Sequence, residues 1–397
     1  MSASTTLRTL VFTTLYPNAV QPAHGVFVEQ RLRKLVATGR VAARVLAPVP
    51  WSPFTSGVFG RYAQFARVPR VEERHGLYVE HPRYPVIPKV GMSLAPFLLA
   101  LWSLRTVRRW QLEGWDFDLI DAHYFYPDGV AAVLLARWLR RPVVITARGT
   151  DINLIPRFRV PRALIRWAAR RCSGMIAVCE ALREAMIGLG IEGERIRVLR
   201  NGVDLEFFRP VAREDARARL GWKGRVLLSV GLLIERKGHH LVIEALTHLP
   251  MDVRLAIVGE GPMRGRLERL AQRLGIAERV SFLGRRTQAE LVELYSAADA
   301  LVLASSREGM PNVLLESLAC GTPVVATPAW GTPEVVRPAE AGRLTEDFTP
   351  AAIARACESL LAAPPERSAT RAYAETFSWD PTTEGQLRLF ESILADA

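Results

Sequence analysis

The sequence predicts an α/β protein built from two doubly wound, largely parallel sheets, each forming its own domain. Three observations carry that expectation: the chain has 397 residues, short β-rich apolar runs alternate with helical stretches, and the alternation starts afresh after Gly221. A chain of this length exceeds what one ordinary hydrophobic core serves. Strands that alternate with helices build βαβ units, which set the strands parallel.

The first series of strand-like runs is Leu7 to Leu15, Val41 to Val49, Leu119 to His123, Val143 to Thr146, Met175 to Val178 and Ile196 to Leu199. The second is Arg225 to Val230, Val253 to Val258, Val280 to Leu283, Ala300 to Ala304 and Pro323 to Ala326, with apolar residues at helical spacing between them. Asn201 to Leu220 carries Gly202, Pro210 and a mixed-charge run, which suits a linker followed by a short helix. The expected domains are therefore residues 1–209 and 210–376. Residues 377–397 read as a helix with Leu387, Leu389, Phe390 and Ile393 on one face, expected to pack back on the first domain. Two such domains facing each other would bind ligands in a cleft at the carboxyl ends of their strands.

Composition narrows the class. The chain is 49% hydrophobic and 23% charged, without low-complexity tracts, as in a folded globular protein. Cys172, Cys179, Cys320 and Cys357 show no metal-ligand spacing and read as reduced core thiols. Met1 to Thr6 lacks the basic start and apolar centre of a signal peptide, which points to the cytoplasm. The apolar run Met92 to Trp102 falls short of the roughly 20 residues that span a bilayer. A formal net charge of +12 implies an anionic partner: nucleic acid, acidic lipid or a phosphate-bearing substrate.

The most informative stretch is SSREGMPNVLLESLACGTPVVAT, Ser305 to Thr327. A strand ends at a polar turn, a helix begins at Pro311, and another strand follows Gly321. The free amides of Met310, Asn312 and Val313 make the start of that helix an anion site suited to a diphosphate. Glu308 at its mouth and Glu316 within it can each accept hydrogen bonds from the hydroxyls of a nucleotide sugar; taken alone, they read more readily as a solvated loop acid and a helix-surface acid.

That context resembles the retaining glycosyltransferases of family 4, a GT-B group of two facing Rossmann-like domains. Its hallmark is two glutamates, here Glu308 and Glu316, ahead of a strand like Cys320 to Ala326. The resemblance continues through YPNAVQPAHGVFVEQ, ITARGTDIN, SVGLLIERKGHHLVIEAL, AIVGEGP, FLGRR, LYSAADALVLAS and FSWD. It implies that Glu308 contacts the donor sugar and Glu316 the ribose, while Gly309, Met310, Pro311 and Asn312 wrap sugar and phosphates. Lys237 matches the family's donor-phosphate lysine, able to neutralise charge on the leaving diphosphate. Gly25 falls where the family's N-terminal glycine loop approaches the donor.

Two positions depart from the family pattern. Leu232 stands where many relatives carry a diphosphate-binding arginine, a role Arg236 is placed to take over. Arg148 stands where several carry a histidine; an arginine acts there as a cation rather than a base. On the acceptor side, His123 and Asp151 each admit two readings, substrate contact or structural hydrogen bonding, whereas His24 reads as an ordinary loop histidine. Gly259 to Pro262 reads as a tight turn on the nucleotide side, and Gly284 with Arg285 as the level of the base.

Two segments suit an anionic membrane surface, Pro88 to Trp110 and Ile155 to Arg171, the second equally readable as a core helix with a solvated arginine face. The expected reaction is metal-independent, cofactor-free retaining transfer from a UDP- or GDP-sugar to a glycan or lipid-linked acceptor of envelope or exopolysaccharide biosynthesis. No Asp-x-Asp motif is present, and Lys237 with the Pro311 helix can take a metal's place. The alternatives are a sugar-nucleotide epimerase, a phosphorylase, or a basic nucleic-acid binder. The last lacks any aromatic-and-basic motif or recognition helix, so nucleic acid is not an expected partner.

Overall fold

The computed structural model describes residues 6–396, apart from 54, 55, 57, 59 and 87–90. The reading of Met1 to Thr6 therefore lies outside the described residues except for Thr6, as does the start of the Pro88 to Trp110 segment. The chain divides into two units, one running up to Arg200 and resuming at Asp380, the other spanning Asn201–Trp379.

The first unit contains β1 (Leu7–Phe12), β2 (Val41–Leu46), β3 (Val49–Pro50), β4 (Val71–Arg74), β5 (Leu77–Glu80), β6 (Arg83–Tyr84), β7 (Leu119–His123), β8 (Val143–Ala147), β9 (Gly174–Ala177) and β10 (Ile196–Val198). Eight of them form one sheet in the order β10-β9-β8-β7-β1-β2-β5-β4; β3 and β6 pair separately. All neighbours in the large sheet run parallel except β4 against β5. Every residue of β7, β8 and β9 is buried, as expected of central strands covered on both faces by helices.

The β4–β5 hairpin is absent from the sequence-based strand series because its residues alternate with charged ones. Its signal is the two-residue turn His75-Gly76, both at positive φ (51° and 77°), the geometry that matches the twist of paired strands.

The second unit holds β11 (Arg225–Val230), β12 (Val253–Val258), β13 (Val280–Gly284), β14 (Ala300–Leu303), β15 (Val324–Ala326) and β16 (Gly342–Leu344), all parallel, in the order β13-β12-β11-β14-β15-β16. Leu227, Leu255, Ile257, Val302 and Val325 of its strands pack with Val242, Ile243 and Leu246 of the His239–Leu246 helix. The Gln288–Ala297 helix starts on a capping box, Thr287 and Glu290 each satisfying the other's backbone amide.

The division between units falls at Asn201, ahead of residue 210, because the intervening chain is tied into the second unit. Val203 N donates to Phe377 O at 2.9 Å, and Arg371 donates to the carbonyls of Leu205 and Phe208 at 3.0 and 2.6 Å. Residues 377–379 stay with the second unit for the same reason. From Asp380 onward the chain belongs to the first unit. There the Asp380–Ala395 helix buries Leu387 and Phe390 in a core with Val28, Leu32, Val144 and Ile176. A Cβ at Gly174 would lie 2.9 Å from Ile393 Cδ1 and 3.3 Å from Leu389 Cδ1, so the side chains of this helix pack directly on the start of β9.

Candidate active site

In the second unit, β11 has β12 on one side and β14 on the other, so successive strands wind outward in opposite directions from the β11/β14 pair. Open α/β sheets bind ligands outside the carboxyl ends of strands at such a switch point. The chain places two charged groups there. Lys237 sits in the Glu235–Lys237 turn after β11, and Glu308 in the loop after β14.

Lys237 Nζ donates to Glu308 Oε1 at 2.5 Å, and Arg236 Nη1 lies 3.5 Å from Glu308 Oε2. Backbone contacts hold the two loops together: Ser306 N donates to Arg236 O at 2.9 Å, and Arg236 Nη1 to Arg307 O at 2.6 Å. Gly238, at φ 68°, ends the lysine turn where a Cβ would stand 2.0 Å from Ala304 O, so only glycine fits. Glu308 is 8% exposed. Burial pushes its pKa up, but the charges of Lys237 and Arg236 outweigh that and hold it below the ordinary value. It is a buried, ionised carboxylate.

The helix after Glu308 runs Asn312–Ala319, with Pro311 as its extended N-cap (φ −78°, ψ 104°) rather than its first turn. The expected start is thus displaced by one residue, because Pro311 has β-region ψ. Asn312 and Val313 carry first-turn amides, while Leu314 N bonds Pro311 O at 3.1 Å. Met310 is buried against this entry, Gly309 is half-buried, and Asn312 Oδ1 accepts from Asn201 Nδ2 at 3.0 Å. One turn further along, half-buried Glu316 accepts from Tyr295 Oη at 2.9 Å. Burial raises its pKa to about 7, against the lowering effect of that hydrogen bond.

Leu232 is 60% exposed, so this departure is not absorbed into the core, and Arg236 is the additional cation brought beside Glu308. The turn at Gly259 packs on the loop after β11: a Cβ there would stand 1.8 Å from Gly231 O, and Leu233 N donates to Glu260 O at 2.9 Å.

In the first unit the switch point lies between β1 and β7. His123 closes β7 and is buried. Its Nδ1 faces Arg148 Nη2 at 2.8 Å and its Nε2 faces Asp121 Oδ2 at 3.3 Å. Desolvation lowers the His123 pKa to about 4, only partly offset by Asp121. With arginine donating to Nδ1, the neutral ring carries its proton on Nε2, toward Asp121. Both ring nitrogens are thus engaged. Arg148 also lies over the Phe27 ring at 5.3 Å.

Asp151 accepts from the amides of Phe125, Gly149 and Arg148 at 2.6, 2.7 and 3.1 Å. Of its two readings, structural hydrogen bonding is the one these contacts display. Gly25 (φ 73°) precedes the Val26–Ala37 helix, and a Cβ there would lie 2.3 Å from Leu15 O; the close approach that demands glycine is to the chain's own backbone. His24 Nε2 lies 3.1 Å from Thr14 O, as suits a loop histidine.

Several contributors escaped the sequence reading. Asp121 receives Gln386 Nε2 at 2.8 Å, and Gln386 Oε1 accepts from Arg31 Nε at 2.7 Å, so the C-terminal helix reaches the His123 cluster. Buried Asp128 holds the loop after β1 through Thr14 N at 2.6 Å. An acid inside the apolar run LIDAH was the available signal for Asp121; none marked Gln386.

Two open sheets with polar clusters at their switch points define a doubly wound α/β protein of two units. Residues 212–377 match the family Glycosyl transferases group 1, and residues 62–207 match Glycosyltransferase Family 4. A D-inositol 3-phosphate glycosyltransferase of Acidothermus cellulolyticus is 35% identical over 78% of this chain and 74% of its own length. The putative teichuronic acid biosynthesis glycosyltransferase TuaC of Bacillus subtilis is 28% identical over 86% of this chain and 88% of its own. Among solved structures, Anabaena HepE in complex with UDP aligns with a TM-score of 0.74 at 23% identity, over 97% of this chain and all 100% of HepE. Sucrose-phosphate synthase of Thermosynechococcus elongatus aligns at 0.80 and 20% identity, over 98% and 99%. The chain belongs to the group 1, family 4 glycosyltransferases and has their GT-B fold. It is a glycosyl-transferring enzyme.

Proposed function

We propose that the protein is a retaining glycosyltransferase that moves a sugar from a nucleoside-diphosphate sugar to a glycan or lipid-linked acceptor of cell-envelope or exopolysaccharide biosynthesis. The observation that carries the reading is the meeting of Lys237 with buried Glu308 at the β11/β14 switch point, in front of the Asn312 helix. An ammonium and a helix N-terminus in one crevice neutralise charge growing on a departing diphosphate. They supply what a metal supplies elsewhere, so the reaction is metal-independent.

Glu308, kept ionised, orients the donor sugar, with Gly309, Met310 and Pro311 around it. Glu316 takes the ribose diol, and Arg236 adds a second cation toward the diphosphate. The acceptor hydroxyl attacks from the face the leaving group vacates, and a leaving phosphate oxygen takes its proton. Arg148, buried with His123 and Asp151 behind it, presents a cation on the acceptor side; His123, with both nitrogens engaged, positions it rather than acting as base.

HepE is described in complex with UDP and with UDP-glucose, which supports a uridine donor here. The named relatives act on D-inositol 3-phosphate and in teichuronic acid biosynthesis, which supports a phosphorylated or polymeric acceptor. Among the described residues no helix is long and apolar enough to cross a membrane. Any membrane contact is peripheral, at the inner face of the cell membrane. Both segments considered for it bury one face and expose apolar residues on the other, Phe158 and Val160 around the start of the Arg159–Ala169 helix and Leu94, Phe97, Leu101 and Trp102 on the Gly91–Leu112 helix, the second offering the longer apolar face.

The test is nucleoside diphosphate release and donor depletion across UDP- and GDP-sugars, with lipid extract as acceptor and with or without EDTA. Donor-selective, EDTA-resistant turnover that Glu308→Gln and Lys237→Ala abolish without unfolding is the expected result. Donor consumption that is insensitive to both substitutions overturns the assignment.

A further inference from the structure

The first unit contains a cavity of about 570 Å3, none of whose lining residues belongs to the site described above. Arg70, Arg83, Arg105 and Arg109 line it, together with Trp51 and Trp102. The one carboxylate on its wall, Glu80, already accepts from Arg109 and from Trp110 Nε1. Arg109 also pairs with Glu113 beside the cavity, its Nε 3.3 Å from Glu113 Oε1, so four guanidinium groups against two carboxylates leave a surplus of two positive charges.

That surplus is held where it is costly. Arg83 is half-buried, its Nη2 donates to Val68 O, and its buried Nη1 has no partner among the described residues. Burial and the neighbouring charge of Arg70 both lower its pKa. Cations crowded in this way are relieved by an anion, and guanidinium forks match phosphate oxygens in pairs.

The Gly91–Leu112 helix, which forms one wall, shows what the anion is attached to. Leu94, Phe97, Leu101 and Trp102 are exposed on it, and Arg105, Arg108 and Arg109 follow one to two turns later. At 100° per residue these positions share one face, apolar in its first turns and cationic in its last. A ligand that satisfies the whole face has an anionic head and a long hydrocarbon chain. The cavity is larger than a bare phosphate needs, which leaves room for a glycerol or sugar substituent on the head.

We propose that this cavity takes the phosphate head of one anionic lipid, on Arg70, Arg83 and Arg105, with its chain laid along Leu101, Phe97 and Leu94. The inference deepens the peripheral-membrane part of the function proposed above and is independent of the transfer chemistry.

The experiment is co-sedimentation of the whole protein with phosphatidylcholine vesicles, with and without phosphatidylglycerol, in the absence of any sugar donor. Arg70 and Arg105 are exposed, so Arg70→Gln/Arg105→Gln leaves the fold intact. It is expected to weaken binding to the anionic vesicles by about 30-fold, on the usual contribution of a basic residue at a lipid surface. Arg254→Gln/Arg273→Gln removes the same charge from exposed sites of the second unit and is expected to change binding less than threefold. Phe97→Ser/Leu101→Ser is expected to abolish vesicle binding while leaving weak binding of glycerol 3-phosphate, measured calorimetrically.

Equal losses in the two arginine pairs overturn the cavity in favour of diffuse charge. Glycerol 3-phosphate binding without vesicle binding in the native protein overturns the lipid and leaves a soluble phosphate ester. A failure of sugar transfer leaves these vesicle results unchanged, so the two readings fail separately.

Discussion

Lys237 Nζ stands 2.5 Å from Glu308 Oε1, joining the loop after β11 to the loop after β14 across the switch point of the second sheet. The pair is mostly buried, with side-chain exposures of 14% and 9%. A lysine so placed has two further N–H donors beyond the one given to Glu308, and the adjacent helix start faces the same loop.

The first prediction concerns that lysine. If it neutralises the departing diphosphate, Lys237→Ala lowers kcat by about 100- to 1000-fold, the usual cost of removing a preorganised charge-stabilising donor. KM for the acceptor stays within a few-fold. Lys237→Arg restores less than a tenth of the activity, since a planar fork does not replace a compact ammonium. Steady-state kinetics with circular dichroism as a folding control decide this.

A second prediction follows from Glu316, whose carboxyl burial raises to about 7. An ionised carboxylate is the better acceptor for a ribose diol, so donor affinity falls as pH drops below about 7 and protonates it. Tyr295 lowers this pKa through its hydrogen bond, so Tyr295→Phe shifts the acid limb upward, and Glu316→Gln flattens it. Donor titrations between pH 5.5 and about 8.5 measure the limb.

Asp128 gives a prediction on stability. Burial raises its pKa from 3.8 to about 7, despite hydrogen bonds from Thr14 and Thr13. A group whose folded pKa is raised stabilises the fold fully below the unfolded value of 3.8 and loses that contribution as pH rises through 7. Unfolding free energy therefore declines over this interval, and Asp128→Asn makes the decline shallower. Urea titrations at pH 4, 5.5 and 7 check the slope.

Gln386 supplies the fourth. It accepts from Arg31 and donates to Asp121, two buried charged groups of the first unit. Gln386→Leu leaves both short of a partner, at a cost of about 2–4 kcal/mol. It also loosens Asp121 against His123, so activity falls through Arg148 placement while donor affinity, set in the second unit, stays unchanged. Chemical denaturation and UDP binding separate the two effects.

The parallel strands were legible because continuous apolar runs such as VVITA or RVLLSV are what double-sided burial requires. The hairpin Val71–Glu80 was not, since an edge pair carries charged residues that break the apolar signal. Lys237, Glu308 and Glu316 could be found through a local pattern, because all three lie in the loop and helix segments that follow the switch-point strands. The Arg31–Gln386–Asp121–His123–Arg148 chain could not. His123 and Arg148 stood out in the sequence, but Arg31 and Gln386 lie 355 positions apart, and the return of the C-terminal helix to the first unit is what sets Gln386 between Arg31 and Asp121.

The most direct measurement is calorimetric titration of UDP and GDP into the native protein and into Lys237→Ala. Saturable binding of one of them by the native protein is expected, weakened at least about tenfold by the substitution, which corresponds to a lost charge-assisted contact of about 1.4 kcal/mol. Binding of either nucleotide with unchanged affinity in Lys237→Ala, or no binding of either by the folded native protein, would contradict this expectation.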